Sequence, residues 1–452
     1  VEVELSEADT RSLLQEAPFA YRTHINDILL TALARTLTRW TGSKTVIVEL
    51  EAHGREGDLG GMDLSRTVGW FTCVYPVKLG VVDAETDGEA IKRIKEQIRR
   101  VPDRGLGYGL LRYLRSEPEI VEEPWTTAAV EVSFNYLGQF DNVIGESEIW
   151  GAAEKIRVAT RSENGRGSHL LAINAAIAEG RLRLSWSYSE ALHRTETIER
   201  IAREYLEHLR ALIVHCRLAD GGYTPSDFPL AHLNQLEVDR LVDGVRVQDI
   251  YGLSSMQQGI LFHTLYEPGS GAYVVQLCCR LSGQFDAGAF GRAWEGAIER
   301  NEVLRTSFHW EGLSEPVQIV QEKAEVEVEQ YDWGDLGAEE QAELLSDYLH
   351  ADRAIGFSLD KAPLTRVAVM RTGDRRYELV WTSHHLLMDG WSVPVLFREV
   401  MKLYEMACSG IATDLNRVHP YRRYLEWLQK QDLSQAERYW RERLKGFEAP
   451  TA

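Results

Sequence analysis

The sequence predicts an α/β protein built as two lobes. Helical patterns alternate with short apolar strand patterns along most of the chain, and a stretch with two prolines, paired glycines and several aspartates interrupts them at residues 217–247. The 452 residues, 44% of them hydrophobic, can bury two medium-sized cores. We therefore expect one lobe before this linker and one after it, each with sheets flanked by helices.

Local patterns predict the elements of the first lobe. Apolar residues recur at helical spacing over residues 24–40, and the run TVIVELEA at Thr45–Ala52 is typical of a strand. Helical patterns also cover residues 87–100 and 195–216. Residues 169–177 and 182–188 alternate on either side of Glu179 and Gly180, which predicts a β-hairpin.

The second lobe repeats this alternation after residue 248. We predict helices over residues 255–265, 287–300, 393–408, 420–429 and 434–445. We predict strands over residues 273–281, 303–310, 364–370 and 377–382.

The charge balance argues against several classes of partner. The formal net charge is -19, whereas binding to nucleic acid or to an anionic membrane needs a positive surface. No run approaches the roughly 20 apolar residues of a membrane span, and the first residues lack the basic and apolar regions of a signal peptide. We therefore expect a cytoplasmic protein that binds neither nucleic acid nor membrane.

The sharpest chemical signal is a pair of histidines where a strand pattern ends. The run WTSHHLLMDGWS places His384 and His385 ahead of Asp389 and Gly390 in the spacing HHxxxDG. An imidazole titrates near neutrality, and a strand end can hold it rigidly within reach of a substrate. Two adjacent histidines alone would more often be surface or core residues, but this spacing after a strand favours a functional site. Their side chains diverge and no third ligand is evident, so we predict no metal.

Three more runs accompany the histidine motif in the same order along the chain. They are LSSMQQGILFH at 253–263, RNEVLRTSF at 300–308 and GFSLDKAPLTR at 356–366. Together these motifs resemble condensation domains of nonribosomal peptide synthetases, in the chloramphenicol-acetyltransferase-like superfamily. The resemblance implies two lobes of that superfamily's type, with mixed sheets flanked by helices. The wording SxMQxGxLFH and HHxxMDGWS is similar to the subtype that takes a D-configured donor and an L-configured acceptor.

This resemblance implies roles for individual residues. His385 would be the catalytic histidine that assists attack of an acceptor amine on a donor thioester, with His384 beside it in the catalytic motif. Asp389 would be an architectural anion, and Arg305 is its candidate partner, because a buried carboxylate needs a counter-charge or several donors. Gly390 would allow a backbone conformation or a close approach that other residues cannot.

The first 216 residues carry a different set of runs. They are LEAHGRE at 50–56, RTVGWFTCVYP at 66–76, PDRGLGYG at 102–109 and FNYLGQFD at 134–141. These runs resemble the C-terminal lobe of an epimerisation domain, although Ala52 departs from that family's LEGHGRE. Inverting an α-carbon requires acid/base groups on both faces of the substrate. The resemblance implies that Glu51 is one of them, with Asn135 and Tyr136 supporting the carbonyl or the enolate; a solvated or salt-bridged strand end is the alternative for Glu51.

The order of the two resemblances predicts an unusual arrangement. Residues 1–216 would be the later lobe of an epimerisation domain, 217–247 a linker, and 248–452 the earlier lobe of a condensation domain. The lobes could dock within one chain, as in a circular permutation of one whole domain, or swap between two chains to form a lobe-swapped dimer. Alternatively, they could stay apart and leave apolar faces uncovered.

The resemblance also implies partners. These are upstream and downstream peptidyl carrier domains and the adenylation domain of the parent synthetase. The chain itself would bind no cofactor directly, and the phosphopantetheine arm of the carriers would deliver the substrates. Two hypotheses compete with this one: a non-catalytic unit that only docks carriers, and a free-standing acyltransferase that uses coenzyme A.

Overall fold

The computed structural model describes residues 1–55, 62–82, 84–114, 130–139, 168–411 and 414–447. The chain divides into two compact units, Val1–Asp227 and Phe228–Ala452. Each unit contains a mixed sheet flanked by helices, so the predicted α/β class is confirmed. No helix within the described ranges is long and apolar enough to cross a lipid bilayer.

The first unit is built around one six-stranded sheet. Its strands are β1 (Glu2–Glu4), β2 (Thr45–Ala52), β3 (Cys73–Gly80), β4 (Val132–Gln139), β5 (Leu171–Ala178) and β6 (Arg181–Tyr188). Its helices are α1 (Glu7–Gln15), α2 (Ala17–Ala20), α3 (Ile25–Thr41), α4 (Asp87–Arg99), α5 (Leu106–Tyr113) and α6 (Thr195–Leu218). The strand order is β1-β6-β5-β4-β2-β3, in which β2, β4 and β5 are mutually parallel and the other pairs are antiparallel.

One face of this sheet forms the core of the first unit. Along β2, Val48 and Leu50 are buried, whereas Glu49 and Glu51 are more exposed, as the two-residue period of a strand requires. The buried strand residues pack with α3, α4 and α6 in a single apolar cluster. The two glutamates therefore share the opposite face of the sheet.

The segment after α6 belongs to the first unit as far as Asp227. The Gly222 N–H donates to the Ala20 carbonyl at 2.7 Å. The Lys95 ammonium lies 2.7 Å from both carboxylate oxygens of Asp227 and 2.8 Å from the Tyr21 carbonyl oxygen. The region predicted as a linker, 217–247, is thus divided between the two units.

The second unit contains two sheets. Its strands are β7 (Val247–Gly252), β8 (Val274–Ser282), β9 (Thr306–His309), β10 (Val317–Gln321), β11 (Val328–Asp332), β12 (Thr365–Gly373) and β13 (Arg376–His384). Its helices are α7 (Gln235–Leu241), α8 (Ser255–Tyr266), α9 (Ala287–Arg300), α10 (Ala338–Ile355), α11 (Ser392–Ser409), α12 (Arg422–Gln429) and α13 (Leu433–Arg443). One sheet has the antiparallel order β7-β10-β9, and the other has the order β11-β12-β13-β8, parallel between β11 and β12.

Strand β13 carries the histidine motif out of the core of the second unit. It is an inner strand of its sheet, and its last six residues are all buried. The Trp381 ring packs edge-on against Trp294 of α9, with 5.2 Å between ring centroids. A rigid apolar base therefore lies directly before the two histidines.

Candidate functional site

A cavity of about 780 Å³ lies in the first unit, and its walls include the ends of the neighbouring parallel strands β2 and β4. The carboxyl ends of parallel strands are where α/β sheets commonly bind ligands, and this volume is in the range of small-molecule sites. Glu51, Asn135 and Tyr136 all line it. The structure thus brings together the three residues that the sequence predicted for the first lobe.

Glu51 and Asn135 are in direct contact in this cavity. The Asn135 Nδ2 donates to Glu51 Oε2 at 2.7 Å. The two residues share a face because β2 and β4 run parallel, with Leu50 level with Phe134. Among the described residues no cation pairs with Glu51 and none donates to its other carboxylate oxygen. One oxygen of an exposed carboxylate thus remains available to a substrate.

Tyr136 approaches the same cavity from the helix-facing side of the sheet. It lies two residues beyond the buried Phe134 on β4, so the two side chains point the same way. Burial raises the pKa of Tyr136 to about 12. The phenol is therefore protonated at neutral pH and can donate a hydrogen bond to a ligand oxygen.

In the second unit, His385 is the first residue after β13 and is half-buried. Its Nδ1 lies 2.9 Å from the Met388 carbonyl oxygen, and its backbone N–H donates to the Tyr273 carbonyl at 2.8 Å. A carbonyl can only accept, so this contact assigns the proton of the neutral ring to Nδ1. The Nε2 lone pair is then available to accept a proton.

His384 has the opposite surroundings. It is 3% exposed, its Nδ1 accepts from the Leu386 N–H at 3.2 Å, and its ring packs edge-on against Phe357. Burial, together with the neighbouring His385, lowers the pKa of His384 to about 4. These surroundings indicate a structural part in the turn rather than the catalytic part predicted from the motif.

The predicted pair between Asp389 and Arg305 does not form. Asp389 is exposed, and its Oδ1 accepts from the Ser392 hydroxyl at 2.8 Å and the Ser392 N–H at 2.9 Å. These bonds, the hydroxyl first, hold the pKa of Asp389 below its ordinary value. The prediction was wrong because the carboxylate lies at the surface, where it binds the start of α11 and needs no counter-charge.

Arg305 is 5% exposed and belongs to a different network. Its guanidinium donates to the carbonyl oxygens of Ile298, Glu299, Gln321 and Glu322 and to the side-chain oxygen of Gln248. Five acceptors around the turn Glu302–Arg305 satisfy its donors, so it has no need of a carboxylate.

Gly390 also differs from the prediction. Its φ lies outside the left-handed region, and an added Cβ would meet no atom within 4 Å. Gly390 follows Asp389 in a turn closed by a hydrogen bond from the Ser392 N–H to the Asp389 carbonyl. The ordinary turn types accept most residues at that position, so the protein itself does not require glycine there.

Sequence reasoning missed several residues around the first site. Glu49, on the same face as Glu51, lies 2.7 Å from His169 Nε2. Tyr75 lines the cavity, as does Asp27, which accepts from the Arg99 guanidinium at 2.7 and 3.0 Å. The two-residue spacing of Glu49 and Glu51 in an apolar strand was a usable signal. Two motif residues, Glu56 and Asp141, lie outside the described residues.

Comparison with known proteins assigns the family. The family model described as the condensation domain matches residues 1–226 and 247–452. The chain belongs to the condensation-domain family. The two matched parts of this condensation-family chain fall on either side of the border between the two units.

Its curated relatives are much longer than the chain. One protein of the linear gramicidin synthase of Brevibacillus parabrevis is 43% identical over 453 residues, which cover 100% of this chain and 6% of that protein. Chondramide synthase cmdD of Chondromyces crocatus is 37% identical over 496 residues, covering 100% of this chain and 12% of that protein. The condensation-family chain therefore corresponds to a small part of each relative.

Solved structures of two domain types are also similar to parts of the chain. The epimerization domain from the third module of tyrocidine synthetase B matches with a TM-score of 0.44 and 37% identity, over 48% of each chain. The starter condensation domain of rhizomide synthetase RzmA matches with a TM-score of 0.40 and 21% identity, over 45% of this chain and 51% of that one. The predicted membership in the condensation- and epimerisation-type domains of nonribosomal peptide synthetases is confirmed by the family match.

Proposed function

We propose that the chain joins the C-terminal lobe of an epimerisation domain, residues 1–216, to the N-terminal lobe of a condensation domain, residues 248–452. The first lobe inverts the α-carbon of a peptidyl thioester held on the phosphopantetheine arm of an upstream carrier. The second lobe helps to join that peptide to the aminoacyl thioester of a downstream carrier. A D-configured donor is what the first reaction supplies and what the second-lobe motifs resemble.

The contact between Glu51 and Asn135 in the cavity is the observation that carries the epimerisation proposal. The free oxygen of Glu51 takes the α-proton as the C–H bond breaks, while Asn135 holds the carboxylate in place. Tyr136, a protonated phenol, donates to the oxygen on which the enolate charge develops. A second acid, for which the resemblance implies a motif histidine, returns a proton to the opposite face.

The hydrogen bond from His385 Nδ1 to the Met388 carbonyl supports the condensation proposal. It orients the ring and leaves Nε2 as the base. The acceptor amine attacks the donor carbonyl, a C–N bond forms, and the C–S bond to the donor's pantetheine breaks. Nε2 takes the proton that the amine loses, and the thiolate leaves.

An α-proton exchange assay tests the first reaction. A carrier loaded with an α-deuterated peptidyl thioester is mixed with the full chain in ordinary water, and loss of deuterium is followed by mass spectrometry. Glu51→Gln keeps the shape and the contact with Asn135 but cannot take a proton, so we expect a fall in rate of at least about 100-fold. Exchange at the wild-type rate in Glu51→Gln would contradict the proposal.

Amide formation between two loaded carriers tests the second reaction. We expect His385→Ala to lower the yield of amide by about 100-fold or more, because a positioned base contributes factors of that size. The control is His350→Ala, which removes an exposed imidazole from α10. Equal yields from His385→Ala and the control would remove His385 from the mechanism.

The same assays separate the two competing functions. A non-catalytic docking unit would bind the loaded carriers yet form no product with any variant. A free-standing acyltransferase would form product from coenzyme A thioesters with no carrier present. Small-angle scattering on the same samples separates a compact monomer, a lobe-swapped dimer and an extended pair of lobes.

A further inference from the structure

Tyr75 is a cavity residue whose hydroxyl has no hydrogen-bond partner in the described part of the chain. It lies on β3, is 7% exposed and belongs to the apolar cluster of the first unit, yet it lines the cavity that contains Glu51. An unmade hydrogen bond at a buried polar group is costly, so the partner is expected to be a molecule that enters the cavity.

The position of the Tyr75 ring is set by a glycine. A Cβ at Gly105 would lie 2.1 Å from two carbon atoms of that ring, and Gly105 has a φ of 83°. Only glycine combines this backbone with this contact. The run PDRGLGYG, which resembles a family motif, thus holds the ring flat against the backbone and gives its hydroxyl one direction.

Tyr75 and Tyr136 stand on either side of the central strand β2. Leu50 is level with Tyr75 on β3 and with Phe134 on β4, and Tyr136 follows Phe134 by two residues on the same face. Strand spacing and rise put the Cα atoms of the two tyrosines about 12 Å apart. Side chains on one face of a sheet stand roughly parallel, so one carbonyl oxygen cannot accept from both hydroxyls.

The chemistry between the two phenols defines what they bind. Leu30, Leu50 and Ile98 give the cavity apolar walls, and burial raises the pKa of both tyrosines, so both hydroxyls are neutral donors at neutral pH. A ligand that satisfies both must carry two acceptors separated by several bonds. In a thioester on a pantetheine arm these are the reacting carbonyl and an amide carbonyl farther along the molecule.

We propose that Tyr75 binds the substrate of the first unit by donating a hydrogen bond to an amide carbonyl of the tethered acyl chain, on the far side of Leu50 from Tyr136. This proposal rests on the proposed epimerisation site and adds a second point of attachment. The amide carbonyl comes either from the peptide that precedes the inverted residue or from the pantetheine arm.

Calorimetric titration of the full chain tests this contact. The probes are N-acetyl-alanyl pantetheine and alanyl pantetheine, each with an amide in place of the thioester so that neither reacts. We expect Tyr75→Phe, which keeps the ring on Gly105, to weaken binding of the N-acetyl probe by about fivefold, the size of one neutral hydrogen bond. The control Tyr113→Phe changes an exposed residue outside the cavity and should bind both probes as the wild type does.

The two probes distinguish the source of the carbonyl. Weaker binding of the N-acetyl probe alone assigns the carbonyl to the peptide, and equal weakening of both probes assigns it to the pantetheine arm. Binding of both probes by Tyr75→Phe within twofold of the wild type would overturn the proposal, as would absence of binding to the wild-type chain.

Glu51→Gln in the same titrations separates this inference from the proposed reaction. If Tyr75→Phe loses affinity while Glu51→Gln still exchanges the α-proton, the epimerisation proposal fails and the binding role stands. If Glu51→Gln loses exchange and Tyr75→Phe binds normally, the reaction stands and the role of Tyr75 fails.

Discussion

Two adjacent residues of one motif have opposite environments, which is the main result at the scale of single residues. His384 ends a buried strand and is enclosed, whereas His385 begins the turn and keeps one ring nitrogen available. The spacing HHxxxDG predicted that both histidines matter. It could not distinguish them, because the distinction depends on which face of β13 is covered.

The burial of His384 predicts an acid-sensitive fold. Its pKa is lowered from 6.5 to about 4, so between these values the unfolded chain binds more protons than the folded one. The contribution to stability is present above pH 6.5 and is lost as pH falls towards 4, reaching about 2–3 kcal/mol at pH 4.5. Urea unfolding followed by tryptophan fluorescence at pH 7.5 and pH 4.5 measures it.

His384→Gln should narrow the difference in the free energy of unfolding between the two pH values, since the side chain no longer titrates. His350→Gln, which replaces an exposed histidine of the same unit, should keep the wild-type difference. The same acid loss in His384→Gln as in the wild type would show that this ring is not the buried titrating group.

At the scale of elements, the strands that escaped prediction share weak local signals. β3 contains Pro76, which argues against a strand, yet β3 is the edge of its sheet, where proline is tolerated. β4 contains polar residues and a glycine, so its period is obscured. The strand predicted over 303–310 begins only at Thr306, because the preceding residues form the turn Glu302–Arg305.

Helix α10 escaped prediction for a related reason, and its attachment suggests a test. Asp352 is the residue of α10 that is buried, and it accepts from Arg366 Nε at 2.6 Å, Thr382 Oγ1 at 2.5 Å and Gln276 Nε2 at 2.9 Å. Asp352→Ala leaves the Arg366 guanidinium without its counter-charge, so we expect a loss of about 3 kcal/mol in the free energy of unfolding. Urea denaturation of the second unit measures this loss.

Asp347→Ala is the matched control, because it removes an exposed carboxylate from the same helix. It should change the free energy of unfolding by less than about 0.5 kcal/mol. Equal effects of the two substitutions would mean that α10 is held by its apolar contacts and not by Asp352.

At the scale of the whole molecule, the border between the two units falls eleven residues after the predicted end of the first lobe at residue 216. Lys95 explains part of this difference. Its ammonium is buried in the first unit, and its counter-charge is Asp227, the last residue of that unit. The composition of residues 217–247 is typical of a linker, but a buried lysine on α4 draws the first part of the segment onto the fold.

Asp227→Asn should therefore destabilise the first unit. Burial already lowers the pKa of Lys95, and removing the carboxylate charge leaves a buried ammonium without compensation, at a cost of about 3 kcal/mol. Differential scanning calorimetry should show a lower melting temperature for one unit and an unchanged one for the other. Asp220→Asn, an exposed aspartate in the same segment, is the control; a shift as large as that of Asp227→Asn would contradict the prediction.

The amino-acid sequence by itself determined the α/β class, the family, the bounds of β2 and α9 and the residue types around both sites, because residue periodicity and motif spacing are local properties of the chain. Only the tertiary structure decided the contact between Glu51 and Asn135, which are 84 positions apart, the enclosure of His384 and the absence of the pair between Asp389 and Arg305. Strand register and helix packing choose the partners of a side chain, and they join segments whose distance along the chain carries no record of the contact.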